Sequence, residues 1–191
     1  VERKGDVLPF FSLSVPEPLG NSMTVDVSVR QAKPQDAKEA SQLIRQAIIE
    51  FCIPCYQHIP EVLTRWLRNK REQDVDTWIR FAGHYCVSAV LHGNKSRRNK
   101  PQERVIGFAI VNKRGKVTVC HVHPEYVKHG VGSMLLNQLE RQAQAWGLNQ
   151  LVVGSPENAR QFYLNRGFET HGEGCSEGEL TDYPMVKWLS A

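Results

Sequence analysis

A chain of 191 residues has the length of one compact domain, and 41% hydrophobic with 23% charged residues is the balance of a packed globule rather than of a disordered or fibrous chain. The net charge of +4 is too modest to declare a polyanion partner by itself, and charges interrupt every apolar run before the roughly 18 residues that a bilayer crossing needs. Five cysteines (Cys52, Cys55, Cys86, Cys120, Cys175) form an odd, scattered set without a disulfide framework, so a reducing, cytoplasmic setting is expected. Cys52-Ile-Pro-Cys55 has the spacing of half a zinc site, but no second pair completes it and no metal is expected.

Residues 1–25 carry prolines without a sustained period and are expected to be a loosely ordered leader, with one domain over 26–191. Val25, Val27 and Val29 alternate with polar residues as a first strand would. A helix is expected from Asp36, with Glu39 at the reciprocal position of a capping box; Leu43, Ile44, Ala47, Ile48 and Phe51 make its apolar face, and Pro54 stops it. A second helix is expected from Pro60 to Asn69 on Val62, Leu63, Trp66 and Leu67, the two forming a helical pair over the sheet.

His84 to Leu91 and Arg104 to Val111 are rich in β-forming residues and read as antiparallel neighbours. The segment between them, with Lys95, Arg97, Arg98 and Lys100, reads as a solvated hairpin loop or as a basic patch for nucleic acid. After a tight turn at Asn112–Gly115, Lys116 to His123 is a strand, with Val117, Val119, His121 and His123 on one face and Thr118, Cys120 and Val122 on the other. A long amphipathic helix over Gly130 to Trp146 is closed by Gly147, then come a short strand at Leu151–Val153, a short helix from Glu157 to Asn165, and two last strands, Phe168–Thr170 and Tyr183–Leu189, around a glycine-rich loop. The order is mixed α/β with hairpins in the middle. Exposed edges near the last hairpin leave room for a homodimer.

The strongest chemical signal is strand, Pro124, loop, and then Gly130-Val131-Gly132-Ser133 at a helix start. Glycines admit a ligand close to the backbone, and the free amides and positive dipole of a helix start suit a phosphate; Lys128 and His129 add donors. The parallel order and acidic residue of a dinucleotide fold are missing, as is the lysine of a nucleoside triphosphatase loop.

Val122-His-Pro-Glu-Tyr-Val-Lys-His-Gly-Val-Gly-Ser-Met-Leu-Leu136 resembles the acetyl-coenzyme A loop of the GNAT acyltransferase superfamily, and Asn158-Ala-Arg-Gln-Phe-Tyr-Leu-Asn-Arg-Gly-Phe168 resembles its closing helix. The resemblance runs from about residue 26 to 189 and looks closest to a poorly characterised bacterial branch. It implies a single domain with a mixed, mostly antiparallel central sheet flanked by helices, and acetyl-coenzyme A at a splayed strand pair. It also implies a cofactor pyrophosphate on backbone amides from Lys128 to Ser133, the pantetheine arm beside Val122, and Tyr163 as proton donor to the leaving thiolate. The acceptor would be a primary amine of a small molecule or a peptide.

Three positions depart from the family pattern: Val127 stands where Arg or Gln is usual, Pro156 where Asn is frequent, and Val117 where some protein-acetylating relatives carry a glutamate. Asn158 is the stand-in for the missing asparagine, and His121 and His123 are the candidates for general base, their ordinary pKa being near neutral. Ordered water is an alternative base. A non-catalytic acyl-coenzyme A sensor and a basic nucleic-acid module stay open beside the enzyme.

Overall fold

A computed structural model describes residues 26–52, 60–93, 103–177 and 180–190. The expected leader, the basic segment Lys95–Lys100 and the Cys55 half of the Cys-x-x-Cys pair lie outside them. Eight strands among the described residues form one sheet: β1 (Val27–Gln31), β2 (His84–His92), β3 (Glu103–Asn112), β4 (Lys116–Val122), β5 (Gln150–Pro156), β6 (Glu169–Thr170), β7 (Cys175–Glu177) and β8 (Leu180–Trp188). Their order is β1-β2-β3-β4-β5-β8-β6, with β7 also on β8, and every pair is antiparallel except β4 with β5. This is the mixed sheet expected from the resemblance. β7 adds a short strand inside the segment read as a glycine-rich loop.

The helices are α1 (Ala37–Ala47), α2 (Pro60–Leu67), α3 (Glu72–Arg80), α4 (Val131–Ala145) and α5 (Glu157–Leu164). They cover the two faces of the sheet separately. Leu43, Ile44 and Ile48 of the first helical segment and Val75 of α3 pack on Phe108, Ile110 and Val119, while Leu135, Leu136 and Leu139 of α4 and Tyr163 of α5 pack on Ile106, Val117 and Val153. No helix among the described residues is long and apolar enough to cross a membrane.

Three local expectations change. Asp36 and Glu39 do not form a capping box: Asp36 accepts from the Lys33 amide at 2.9 Å, from Ser88 at 2.8 Å and from Arg30 at 2.7 Å, and Glu39 accepts from the Val105 amide of β3 at 2.7 Å. Buried sheet donors outcompete the first turn for these carboxylates, since an unpaired buried amide is the costlier alternative. The α1 helix also widens into a π-turn over Ile48–Cys52, and α3 is a helix that the sequence reading did not resolve.

The third change is in β4. Val111 pairs with Val117 but Ile110 pairs with Val119, so Thr118 is an extra residue in the strand. Such a bulge breaks the alternation of side chains. Val117 therefore packs in the α4/α5 layer with Cys120 and Val122, not with Val119 as strict alternation requires. His123 ends outside the strand, at the start of a 3-10 turn over Pro124–Tyr126.

Candidate active site

The parallel pairing of β4 with β5 is limited to Lys116↔Val152 and Val117↔Val153. On its other edge β5 pairs with β8 throughout, from Gln150↔Trp188 to Pro156↔Asp182. Beyond Val117 the β4 edge that faces β5 consequently has no strand partner among the described residues, and its backbone groups need another one. The two strands part around a cavity of about 720 Å³. Cys120, His121 and Val122 line it from β4, Val153 and Gly154 from β5, Asn158 and Tyr163 from α5, Lys128 and Gly132 from the loop and start of α4, and Glu50 and Phe51 from the π-turn.

One end of the cavity is a backbone cradle. After the 3-10 turn, Lys128 takes φ +63° and Gly130 φ +81°, a left-handed geometry that costs a residue with a Cβ of order 1 kcal/mol and glycine almost nothing. His129 Nδ1 donates to the Val127 carbonyl at 2.8 Å and fixes the turn. The first bond of the α4 ladder is Met134 N–H to the Gly130 carbonyl at 3.0 Å, which leaves the amides of Val131, Gly132 and Ser133 ahead of it. The Val131 side chain is buried in the core, so Val131 offers the cavity only its backbone. A Cβ at Gly132 would sit 3.2 Å from Phe162 Cζ and 3.7 Å from Val122 Cγ2. Glycine is needed there for α4 to approach α5 and β4.

The opposite wall comes from the π-turn. Its widened backbone turns Glu50 and Phe51 to the cavity, and Asn158 Nδ2 donates to the Phe51 carbonyl at 2.6 Å, bridging α5 to α1. Glu50 Oε1 accepts from Gln46 at 2.9 Å.

Between these ends, β4 presents titratable groups on both faces. Tyr163, 5% exposed, is wedged edge-on between Phe162 and Phe168, at ring-centroid separations of 5.1 and 5.3 Å. Burial, with the neighbouring Cys120, raises its hydroxyl well above the ordinary phenol range, so it keeps its proton. Burial pushes the neighbouring Cys120 thiol up to about 11. His121 is pushed down to about 4, first by burial and then by the Lys70 ammonium, so its imidazole is neutral at pH 7.

His121 and Tyr163 thus meet in one cavity, and His123 does not join them. His123 is 8% exposed and lines a separate cavity beside Glu39 and Arg104. Its Nδ1 accepts from the Glu125 amide at 3.3 Å and its Nε2 lies 3.2 Å from Arg104 Nη2. These contacts tie it to the turn that leads into the cradle. Cys120 is a cavity residue that the sequence reading placed on the Val122 face without assigning it a task; four residues before Pro124 and in phase with Val122, its period-2 position was the available signal.

A profile of the acetyltransferase (GNAT) domain family matches residues 67–189, well over half of the chain. The chain belongs to the GNAT acetyltransferase family. The GCN5-related N-acetyltransferase from Rhodopseudomonas palustris superimposes with a TM-score of 0.68 at 24% identity, over 88% of this chain and 100% of that one. The PaiA N-acetyltransferase from Thermoplasma acidophilum, solved in complex with coenzyme A, gives 0.65 at 16% identity, over 85% and 99%. The ribosomal-protein-S18-alanine N-acetyltransferase from Escherichia coli gives 0.56 at 14% identity, over 87% and 96%. At these identities the superpositions establish the fold, and the profile match the family.

Proposed function

We propose that this GNAT domain transfers the acetyl group of acetyl-coenzyme A to a primary amine, and that the amine is neutral when it attacks. The observation that carries the reading is the opening between β4 and β5, which has a phosphate-suited turn at one end and a protonated phenol and a neutral imidazole beside it. The residues fit the co-substrate. Backbone amides of Val131, Gly132 and Ser133, with the Lys128 and His129 turn, would hold the pyrophosphate, as helix starts do for anions. The unpaired edge of β4 near Val122 would take the pantetheine amides as a strand takes its neighbour. Asn158, on the cavity wall, would border the same arm. The coenzyme A complex of the Thermoplasma relative supports this assignment.

Acetyl-coenzyme A supplies an activated thioester. During transfer the new nitrogen–carbon bond forms as the carbon–sulfur bond breaks, one amine proton leaves to His121, and Tyr163 Oη provides the proton that the departing sulfur requires; both residues then re-equilibrate with solvent. His121, with its conjugate acid near pH 4, is a ready acceptor at neutral pH but a weak base. It suits an amine that has already lost its ammonium proton, or whose remaining proton becomes acidic as the bond to carbon forms. Glu50, on the far wall, gives an incoming amine an anionic neighbour. The acceptor is a small molecule or a peptide terminus, and the cysteine usage fits a cytoplasmic enzyme.

Replacing Tyr163 with Phe keeps the ring and removes the proton. The expected result is a loss of kcat of about 100-fold, with the calorimetric Kd for acetyl-coenzyme A within about twofold of wild type. Unchanged turnover would remove Tyr163 from this role. Tight acetyl-coenzyme A binding without transfer to any amine of a broad panel would instead support an acyl-coenzyme A sensor.

A further inference from the structure

The α1 and α5 helices pack on opposite faces of the sheet, α1 in the layer of Phe108, Ile110 and Val119, and α5 through Tyr163 in the layer of Val117 and Val153. A bond between the two helical segments has to pass where strands part, and one does. Asn158 Nδ2, in the first turn of α5, donates to the Phe51 carbonyl at 2.6 Å, and both residues line the cavity between β4 and β5. The last carbonyls of a helix lack partners within it. The π-turn over Ile48–Cys52 ends the α1 segment, so Phe51 offers such a carbonyl, and Asn158 reaches it from 107 residues away. The same turn carries Glu50 on the cavity wall, where Gln46 Nε2 donates to it at 2.9 Å. Ile49, Glu50 and Phe51 are all exposed, so packing contributes little to holding these three residues in place.

We propose that Asn158 is a positioning residue for the acceptor side of the site: its hydrogen bond to the Phe51 carbonyl, made through the opening between β4 and β5, holds the π-turn and with it Glu50 against the cavity. It thereby sets the KM for the amine rather than the affinity for acetyl-coenzyme A. One N–H of the carboxamide is committed to Phe51, and Oδ1 with the other N–H is what the side chain has left for the pantetheine arm. The inference rests on the transferase reading above and gives Asn158 no part in the proton transfers.

The test uses N158A and N158L, each alone and combined with E50Q. Leucine keeps the volume of the side chain without a donor and carries the test if alanine impairs folding. Initial rates are measured on a panel of aliphatic monoamines, diamines and short peptides with free N-termini, the calorimetric Kd for acetyl-coenzyme A is measured for each variant, and hydrogen exchange is followed at the amides of residues 48–52. The KM for the best amine should rise about fivefold in both single variants, the scale of one neutral hydrogen bond, with the Kd for acetyl-coenzyme A within about twofold. Exchange at residues 48–52 should quicken by a similar factor. In the E50Q background N158A should raise the amine KM by less than about twofold, because the carboxylate that it positions is gone. An unchanged amine KM, a full fivefold effect in E50Q, unaltered exchange, or the reverse pattern of weakened acetyl-coenzyme A binding with a normal amine KM would each overturn the inference, the last by returning Asn158 to the pantetheine arm. A wild type inactive on the whole panel overturns the transferase reading and the KM role with it, whereas an active wild type indifferent to N158A and N158L overturns this inference alone.

Discussion

On its β3 side β4 is paired from Gly107↔Val122 to Val111↔Val117, whereas on its β5 side the pairing ends after Lys116↔Val152 and Val117↔Val153. The closed side is backed by the fully buried Ile106, Phe108 and Ile110, and the open side looks into a cavity. One strand therefore serves stability along one edge and ligand access along the other. β5 stays anchored through its other edge, which pairs with β8 from Gln150↔Trp188 to Pro156↔Asp182. The β4 edge beyond Val117 is left open, where a bound amide chain would satisfy it.

The comparison can be broken most severely from the closed side. Ile110, 1% exposed between α1 and the sheet, should cost about 3 kcal/mol in urea unfolding when replaced by alanine, through lost burial and the cavity left behind. A loss below about 1 kcal/mol would mean that the closed half is not the stabilising half. On the open side Gly132→Val should act mainly on binding. Its Cβ already meets Phe162 at 3.2 Å, so the affinity for acetyl-coenzyme A should fall at least about tenfold while stability falls by about 1 kcal/mol. Equal affinity would place the ligand elsewhere.

The smallest effect concerns pH. His121 has its pKa near 4 in the folded chain, against about 6.5 when unfolded. The unfolded state binds the extra proton between these values, so the contribution of a neutral His121 is complete above about pH 6.5 and lost as pH falls toward 4. The unfolding free energy measured in urea should therefore drop less between pH 7 and pH 5 in His121→Gln than in wild type, by on the order of 1 kcal/mol. Equal drops would show that His121 is not held neutral by its surroundings.

Much of this architecture was legible in local sequence. The alternation in Val27 and Val29, the helical spacing of Leu43, Ile44 and Ala47, and the glycine turn before α4 each report a periodicity or a backbone demand confined to a few residues. The missing features are tertiary. The bulge at Thr118 leaves no mark in composition, yet it decides that Val117 faces the same layer as Cys120. Nor does the sequence of Ile48–Cys52 distinguish a π-turn from an α-helical one, and Asp36 and Glu39 fit a capping box until buried donors on β2 and β3 claim them. His121 and His123 looked equivalent by period; the end of β4 separates them, leaving one in the cavity and the other bound to the 3-10 turn.

The most direct measurement is calorimetric titration of acetyl-coenzyme A into the intact protein and into Gly130→Glu. That substitution places a residue with a Cβ at φ +81° and sets a negative charge at the proposed phosphate cradle. Saturable binding by the wild type, weakened at least about tenfold in a Gly130→Glu protein that still folds, is the predicted result. A folded wild type that takes up no acetyl-coenzyme A, or a Gly130→Glu protein that binds it equally well, would contradict the assignment of the cleft between β4 and β5.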